Sequence, residues 1–392
     1  MSAPPASRSA ALDYLRATLT VMVVGHHSSL AYTTFATSEP GNYLGGTAPI
    51  VDTARWVFLD HAENFNDVFF MSAMFFISGI FTWGSLHRRG PISFVWERIL
   101  RLGVPFLFGV IFVMPIAYYA AYLLSGGHPH YLAYWRQNLF DDGPPSGPLW
   151  FIWVLLLFNL AVAFSFPLWR RLDGPIERLA KFGGLHPLRF AAAILLVCAI
   201  AYFPLLVRYG PSAWTAFFTG PFYFQQSRFA LYVAWFVIGC VTGASGLQRG
   251  LLASSGAMVQ HSGSWLIAAL AIFAVMEFIP RALFDGGIVT EVYARLCYDI
   301  LWMISCVAST LAFLAIFLRY ATKPNAFMDS LARNAYLIYI VHYIFVLWIQ
   351  YSLLQVPLLA GIKFILTFAG ALMLSYITAA SLLRVQIFRA VL

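Results

Sequence analysis

Charge is what this 392-residue chain has least of: 10% of its residues are charged, against about 25% in a soluble domain. The deficit runs along the whole length, which excludes a water-soluble globule carrying one anchor. With 61% hydrophobic residues and a mean hydropathy of +0.76, most of the surface must face lipid. Basic residues outnumber acidic ones 24 to 16, for a net +8, yet no basic run concentrates them. A nucleic-acid footprint is excluded on that ground, and the excess reads as membrane orientation. Cysteine is equally scarce. Cys198, Cys240, Cys297 and Cys306 lie in or beside apolar stretches without CxxC spacing, so they read as packed thiols, not metal ligands or disulfides. No repeat of roughly 20–50 residues and no long polar linker is visible, which leaves one integral-membrane domain over 1–392.

Crossing a hydrocarbon core of about 30 Å takes roughly 20 apolar residues. About ten such segments are present, at 12–35, 66–86, 99–124, 149–168, 188–208, 228–245, 264–284, 295–318, 332–353 and 358–382. The expected fold class is therefore all-α and polytopic. Lys and Arg are retained on the cytoplasmic side of short loops, which sets the orientation. Arg88, Arg89, Arg98 and Arg101 follow segment two, Arg170, Arg171, Arg178 and Lys181 follow segment four, and Arg319, Lys323 and Arg333 follow segment eight. Those loops are expected inside. Glu39, Asp52, Asp60, Glu63 and Asp67, between segments one and two, and Asp141 and Asp142, between three and four, are expected in outward loops. Arg8, Arg384 and Arg389 place both termini in the cytoplasm, which agrees with ten crossings. Segment one contains His26 and His27, so it is expected to remain a helix and not be a cleaved signal peptide.

An ionisable group at bilayer depth is a functional candidate by default. Segment one holds Asp13, Arg16, His26 and His27. The eleven residues from Arg16 to His27 leave the two about 20° apart on one helix face and about 16 Å apart in height. His26 sits about 80° from Arg16. Counting inward from Arg333, His342 of segment nine lies about 14 Å deep, near the level of His27, and two histidines at one level suggest one cavity. Tyr339 is one turn below His342 and is placed to orient it. For each histidine the structural alternative is a hydrogen bond between packed helices. Arg98 and Arg101, three apart, project from neighbouring positions at the inner mouth, where guanidinium groups suit a phosphorylated ligand. Lipid anchoring and pairing of Arg101 with Glu97 are the alternatives there. Glu277 and Asp299 also lie in apolar runs, each a potential partner of a histidine. Trp135, Trp150 and Trp153, on the outward side, read either as membrane anchors or as stacking faces for sugar rings.

LDYLRA, the ten residues between Arg16 and His27, FFISG, the Arg98/Arg101 pair before a proline, PLWFIWVLLL and NAYLIYIVH occur in an order that resembles the acyltransferase-3 family of bacterial membrane acyltransferases. Within it the chain looks most like the glucans biosynthesis protein C branch, which succinylates periplasmic glucans. The likeness covers essentially the whole chain. It implies a multi-pass protein of the bacterial inner membrane that moves an acyl group from cytoplasmic acyl-CoA to a carbohydrate hydroxyl on the far side. Carried over, His27 is the catalytic histidine and Arg16, Arg98 and Arg101 serve the acyl donor. Asp13, His26, Tyr339 and His342 are the supporting candidates. Acyl-CoA enters as co-substrate, and neither a bound cofactor nor a metal is expected. The alternative is a secondary transporter or proton-coupled channel using His27, His342, Glu277 and Asp299 as a relay. It lacks support from inverted repeats or paired broken helices.

Overall fold

The computed structural model describes residues 10–39, 41–217 and 220–386. The helices are α1 (Ala10–Leu30), α2 (Val57–Arg89), α3 (Pro91–Leu124), α4 (Tyr131–Phe140), α5 (Gly147–Phe164) and α6 (Asp173–Leu185). They continue as α7 (Pro187–Tyr209), α8 (Gln226–Ala244), α9 (Ser262–Asp285), α10 (Glu291–Tyr320), α11 (Ala326–Leu353) and α12 (Ala360–Leu382). A short antiparallel hairpin, β1 (Trp214–Ala216) with β2 (Tyr223–Gln225), joins α7 to α8 and is an addition to the all-helical expectation.

Nine of these helices, among the described residues, are long and apolar enough to cross a membrane. The tenth expected segment is α1. At 21 residues it is long enough, but Asp13, Arg16, His26 and His27 interrupt its apolar run. α2 buries most of its surface, whereas α7, α9 and α12 turn much of theirs outward, as lipid-facing helices do. α2 packs most extensively on α8, α9 on α10, and α11 on both α12 and α1.

Glycine makes the α2–α8 contact close. A Cβ on Gly79 would overlap the Phe236 carbonyl, and one on Gly239 or Gly243 would overlap the carbonyls of Phe76 or Ile80. The backbones touch, the packing that small residues permit in membranes.

Two prolines shape α3. Each removes the N–H that would bond the carbonyl four residues earlier and crowds that carbonyl. The backbone answers with π turns at Ile99–Gly103 and Gly109–Val113, just before Pro105 and Pro115. The carbonyls left over are those of Arg101 and Ile111. Tyr336 Oη donates to the first and Trp135 Nε1 to the second, each at 2.8 Å.

Helix direction alternates along the chain, and contacts between loops sort the ends. At one end Tyr14 donates to Asp329 (2.7 Å), Tyr336 reaches Arg101, and His87 meets Asp173 (3.2 Å). The three basic loops therefore share that end. At the other, Tyr43 donates to Asp142 (3.0 Å) and Lys363 to Asp52 (2.6 Å). Arg8 and Arg389 lie outside the described residues.

The acidic cluster needs a correction. Asp60, Glu63 and Asp67 are not in a loop: α2 begins at Val57 and carries all three. Their polarity hides the helix start from a hydropathy reading, but in the structure each is engaged. Thr34 donates to Asp60 through its backbone N–H (2.7 Å) and hydroxyl. Arg228 of α8 forks onto Asp67 at 2.7 and 2.5 Å.

Candidate active site

α1 and α11 run side by side in the same direction. Tyr14 pairs with Asp329 near their starts and His27 with His342 further along. Both steps are thirteen residues, about 20 Å of helix, so the two helices stay in register over that length. The shared register turns two sequence-distant histidines into a pair, His342 Nε2 lying 3.1 Å from His27 Nδ1.

Hydrogen-bond capacity fixes the protons of this pair when both rings are neutral. His342 Nδ1 is 2.7 Å from the Tyr339 carbonyl, which can only accept. That nitrogen therefore carries the proton, and Nε2 of His342 is an acceptor. His27 Nδ1 faces this acceptor and the Val23 carbonyl at 3.0 Å, so it too carries the proton. The lone pair of His27 is left on Nε2, the arrangement in which one imidazole orients another. His342 is fully enclosed, while His27 keeps accessible surface.

Three further contacts hold His27. Tyr343 packs edge-on against its ring (5.2 Å between centroids), and His26 does so from the other side (5.2 Å). Gln350 donates to the carbonyls of His27 (3.1 Å) and Ser28 (3.3 Å). Those two are among the last carbonyls of α1, which have no partner within the helix. Gln350 thus closes the helix end and fixes the backbone beneath the imidazole.

His26 is buried against Phe70, with Nδ1 3.7 Å from Glu63. One turn further along α2, Asp67 pairs with the buried Arg228, whose guanidinium also lies 4.7 Å from the Trp302 ring. The sequence reading places Glu63 and Asp67 in a loop and misses Arg228. The basic residue at the first position of an apolar segment was the available signal.

The other expected residues separate into two groups. Asp13 is buried and 3.2 Å from Arg16, whose side chain is 42% exposed. Arg98 lies over Phe94 at 4.7 Å, and Glu97 is shared between Arg89 and Arg101 (3.3 Å). The Glu97–Arg101 alternative is thus present alongside an arginine cluster. Arg16 and the Arg98/Arg101 group both stand at the end holding the basic loops. Tyr14 ties α1 to the start of α11, and Tyr336 ties α11 to α3.

Several supporting assignments change. Tyr339 orients His342 through its main-chain carbonyl, while its hydroxyl donates to the Pro148 carbonyl. Neither Glu277 nor Asp299 meets His27 or His342: Glu277 binds His61 (2.6 Å) and Asn64 (2.6 Å), and Asp299 binds Arg295 (3.3 Å). Trp153 is buried and donates to the Tyr223 carbonyl (2.9 Å), Trp135 serves Ile111, and Trp150 packs against Tyr232. Trp153 is thus an internal fitting, while Trp135 and Trp150 are half-buried. No group of three or more candidate metal ligands occurs among the described residues.

A scan against protein-family models matches the family model for acyltransferase 3, described as an acyltransferase domain, over residues 9–382. Searches of curated proteins and of solved structures each find no match. The match spans nearly the whole chain, including both histidine helices and the arginine cluster, and the chain belongs to the acyltransferase-3 family.

Proposed function

We propose that this acyltransferase moves an acyl group from acyl-CoA, bound at the arginine-bearing end, to a carbohydrate hydroxyl arriving from the opposite side. In this reading the chain crosses the bacterial inner membrane ten times with both termini in the cytoplasm. Arg16, Arg98 and Arg101 meet the phosphates of the donor, for which guanidinium offers paired donors and a permanent charge. The thiol arm then spans the roughly 16 Å from Arg16 to the level of His27.

The chemistry follows from the tautomer. The acceptor hydroxyl attacks the thioester carbonyl while His27 Nε2 takes its proton. His27 becomes cationic, and His342 Nε2 accepts the Nδ1–H bond that steadies it. The C–S bond breaks, and the coenzyme A thiolate takes the proton from His27 Nε2. Protons and electrons balance without another reactant. The 3.1 Å contact between His27 and His342 carries this reading, because it leaves one basic nitrogen free. Glu277 and Asp299 are occupied elsewhere, which supports transfer over a proton relay. By its resemblance to the glucan-succinylating branch, the donor is succinyl-CoA and the acceptor a periplasmic glucan.

Purified protein in detergent tests this. Acyl-CoA raises its thermal stability, since a ligand that binds only the folded state stabilises it. His27→Ala keeps that shift and loses transfer by about 10²–10⁴-fold. Retained turnover in His27→Ala defeats the base assignment, and mass spectrometry of envelope glycans with and without the protein identifies the acyl group and acceptor.

A further inference from the structure

At the end opposite the arginine cluster, a cavity of about 470 Å³ opens between the loop at Asn42–Leu44, the end of α3 and the end of α4. That size falls within the roughly 300–1,000 Å³ of small-molecule sites. Its walls include Tyr43, Tyr122, Asn42, Ser125, Gln137 and Asp142.

These side chains form a connected polar array. Asn138 donates to Tyr43 Oη (2.9 Å), Tyr43 donates to Asp142 (3.0 Å), and Gln137 reaches the same carboxylate at 3.3 Å. Burial raises the Tyr43 hydroxyl above its ordinary pKa, so it remains a donor. The carboxylate keeps lone pairs for further donors. Behind the wall, Tyr134 packs against Tyr43 (5.8 Å) and Tyr122 (4.6 Å). Its hydroxyl and the Asn138 carbonyl oxygen are buried without a protein partner.

Among the described residues no basic side chain lines the cavity and one carboxylate does, so it disfavours phosphate and the acyl donor. Tyrosine rings beside carboxylate, amide and hydroxyl groups suit a neutral ligand with apolar ring faces and many hydroxyls. The cavity also connects to the histidines. Tyr122 is one turn from Tyr118 on α3, Tyr118 contacts Tyr343 (5.7 Å), and Tyr343 contacts His27 (5.2 Å). Tyr118 and Tyr343 are both buried, so the cavity and His27 stand at the two ends of one row of packed rings.

We infer that this cavity is a remote acceptor subsite: it holds a pyranose unit one or more residues away from the sugar being acylated. The inference rests on the carbohydrate reading above. A glycan anchored there presents a neighbouring hydroxyl to His27, and a monosaccharide gains nothing from it.

The test uses the full chain with its acyl-CoA donor and a series from glucose to linear gluco-oligosaccharides. For the wild type, kcat/KM rises with chain length. The Gln137→Ala/Asp142→Ala double variant, both exposed positions, loses about tenfold on the longer acceptors. It keeps its rate on glucose and its thermal stabilisation by acyl-CoA. If the wild type acylates oligosaccharides and the double variant shows the same length dependence, the subsite is overturned while the carbohydrate reading stands. If no sugar in the series is acylated while acyl-CoA still stabilises the protein, the carbohydrate reading falls and the subsite with it.

Discussion

Lys363 and Asp52 are 2.6 Å apart, with side chains only 2% and 1% exposed. A buried pair of this kind is weak evidence of stabilisation as a whole, but removing one partner strands the other charge. Lys363→Met is expected to destabilise by about 3–5 kcal/mol. Lys363→Met with Asp52→Asn recovers most of that, as thermal unfolding in detergent will show; equal losses in single and double variants contradict the pairing. A second residue-scale expectation concerns His342. His342→Ala removes the acceptor that orients His27, and a hydrogen bond of about 1–3 kcal/mol corresponds to roughly a 5–150-fold fall in kcat. The acyl-CoA KM stays unchanged, and a change in KM alone would assign His342 to donor binding. His27 and His342 are legible in the sequence because a helix converts spacing into face and depth. Lys363 is not, since its partner lies 311 residues away. Nothing in a single apolar run announces such a partner. Glu63 and Asp67 fail for a related reason: their neighbours, His26 and Arg228, are supplied by other segments.

Helices were the readable unit, and their ends were not. Every expected segment corresponds to a helix, but α2 starts nine residues before its apolar stretch at 66, because Asp60, His61, Glu63 and Asn64 interrupt the apolar pattern of its first turns. The bends of α3 follow directly from Pro105 and Pro115, yet the side chains that repair them come from α11 and α4. Those repairs give a paired prediction. Tyr336→Phe strands the Arg101 carbonyl and Trp135→Phe the Ile111 carbonyl, each costing about 1–3 kcal/mol. Only the first lesion lies beside the arginine cluster. Tyr336→Phe is therefore expected to raise the acyl-CoA KM by several-fold, whereas Trp135→Phe lowers thermal stability with the same donor KM. Equal KM values in both variants would separate Arg101 from donor binding. At the α2–α8 contact, Gly239→Leu has no room between touching backbones, and loss of folded protein in size-exclusion chromatography is the expected result.

At the scale of the whole molecule, the two ends carry different chemistry. Arg98 and Arg101 stand at the end of the basic loops, the tyrosine-lined cavity at the other, and the histidine pair lies between them on α1 and α11. This arrangement works as a transfer path only if α1 crosses the membrane, and α1 is the helix whose polar residues make its apolar run the weakest. Its register with α11, thirteen residues on both sides between the Tyr14–Asp329 and His27–His342 contacts, argues that it crosses alongside a helix long and apolar enough to span a membrane. Single cysteines test this in a Cys297→Ser background, where Cys198, Cys240 and Cys306 are buried. Leu44→Cys and Gln137→Cys, both exposed, are expected to react with an impermeant maleimide in intact cells. Lys181→Cys and Lys323→Cys, also exposed, react only after permeabilisation, as does a tag at the N-terminus. A tag reached from outside together with Leu44→Cys would mean that α1 does not cross, and would place Arg16 and the tyrosine-lined cavity on one side of the membrane, leaving no path for an acyl group from a cytoplasmic donor.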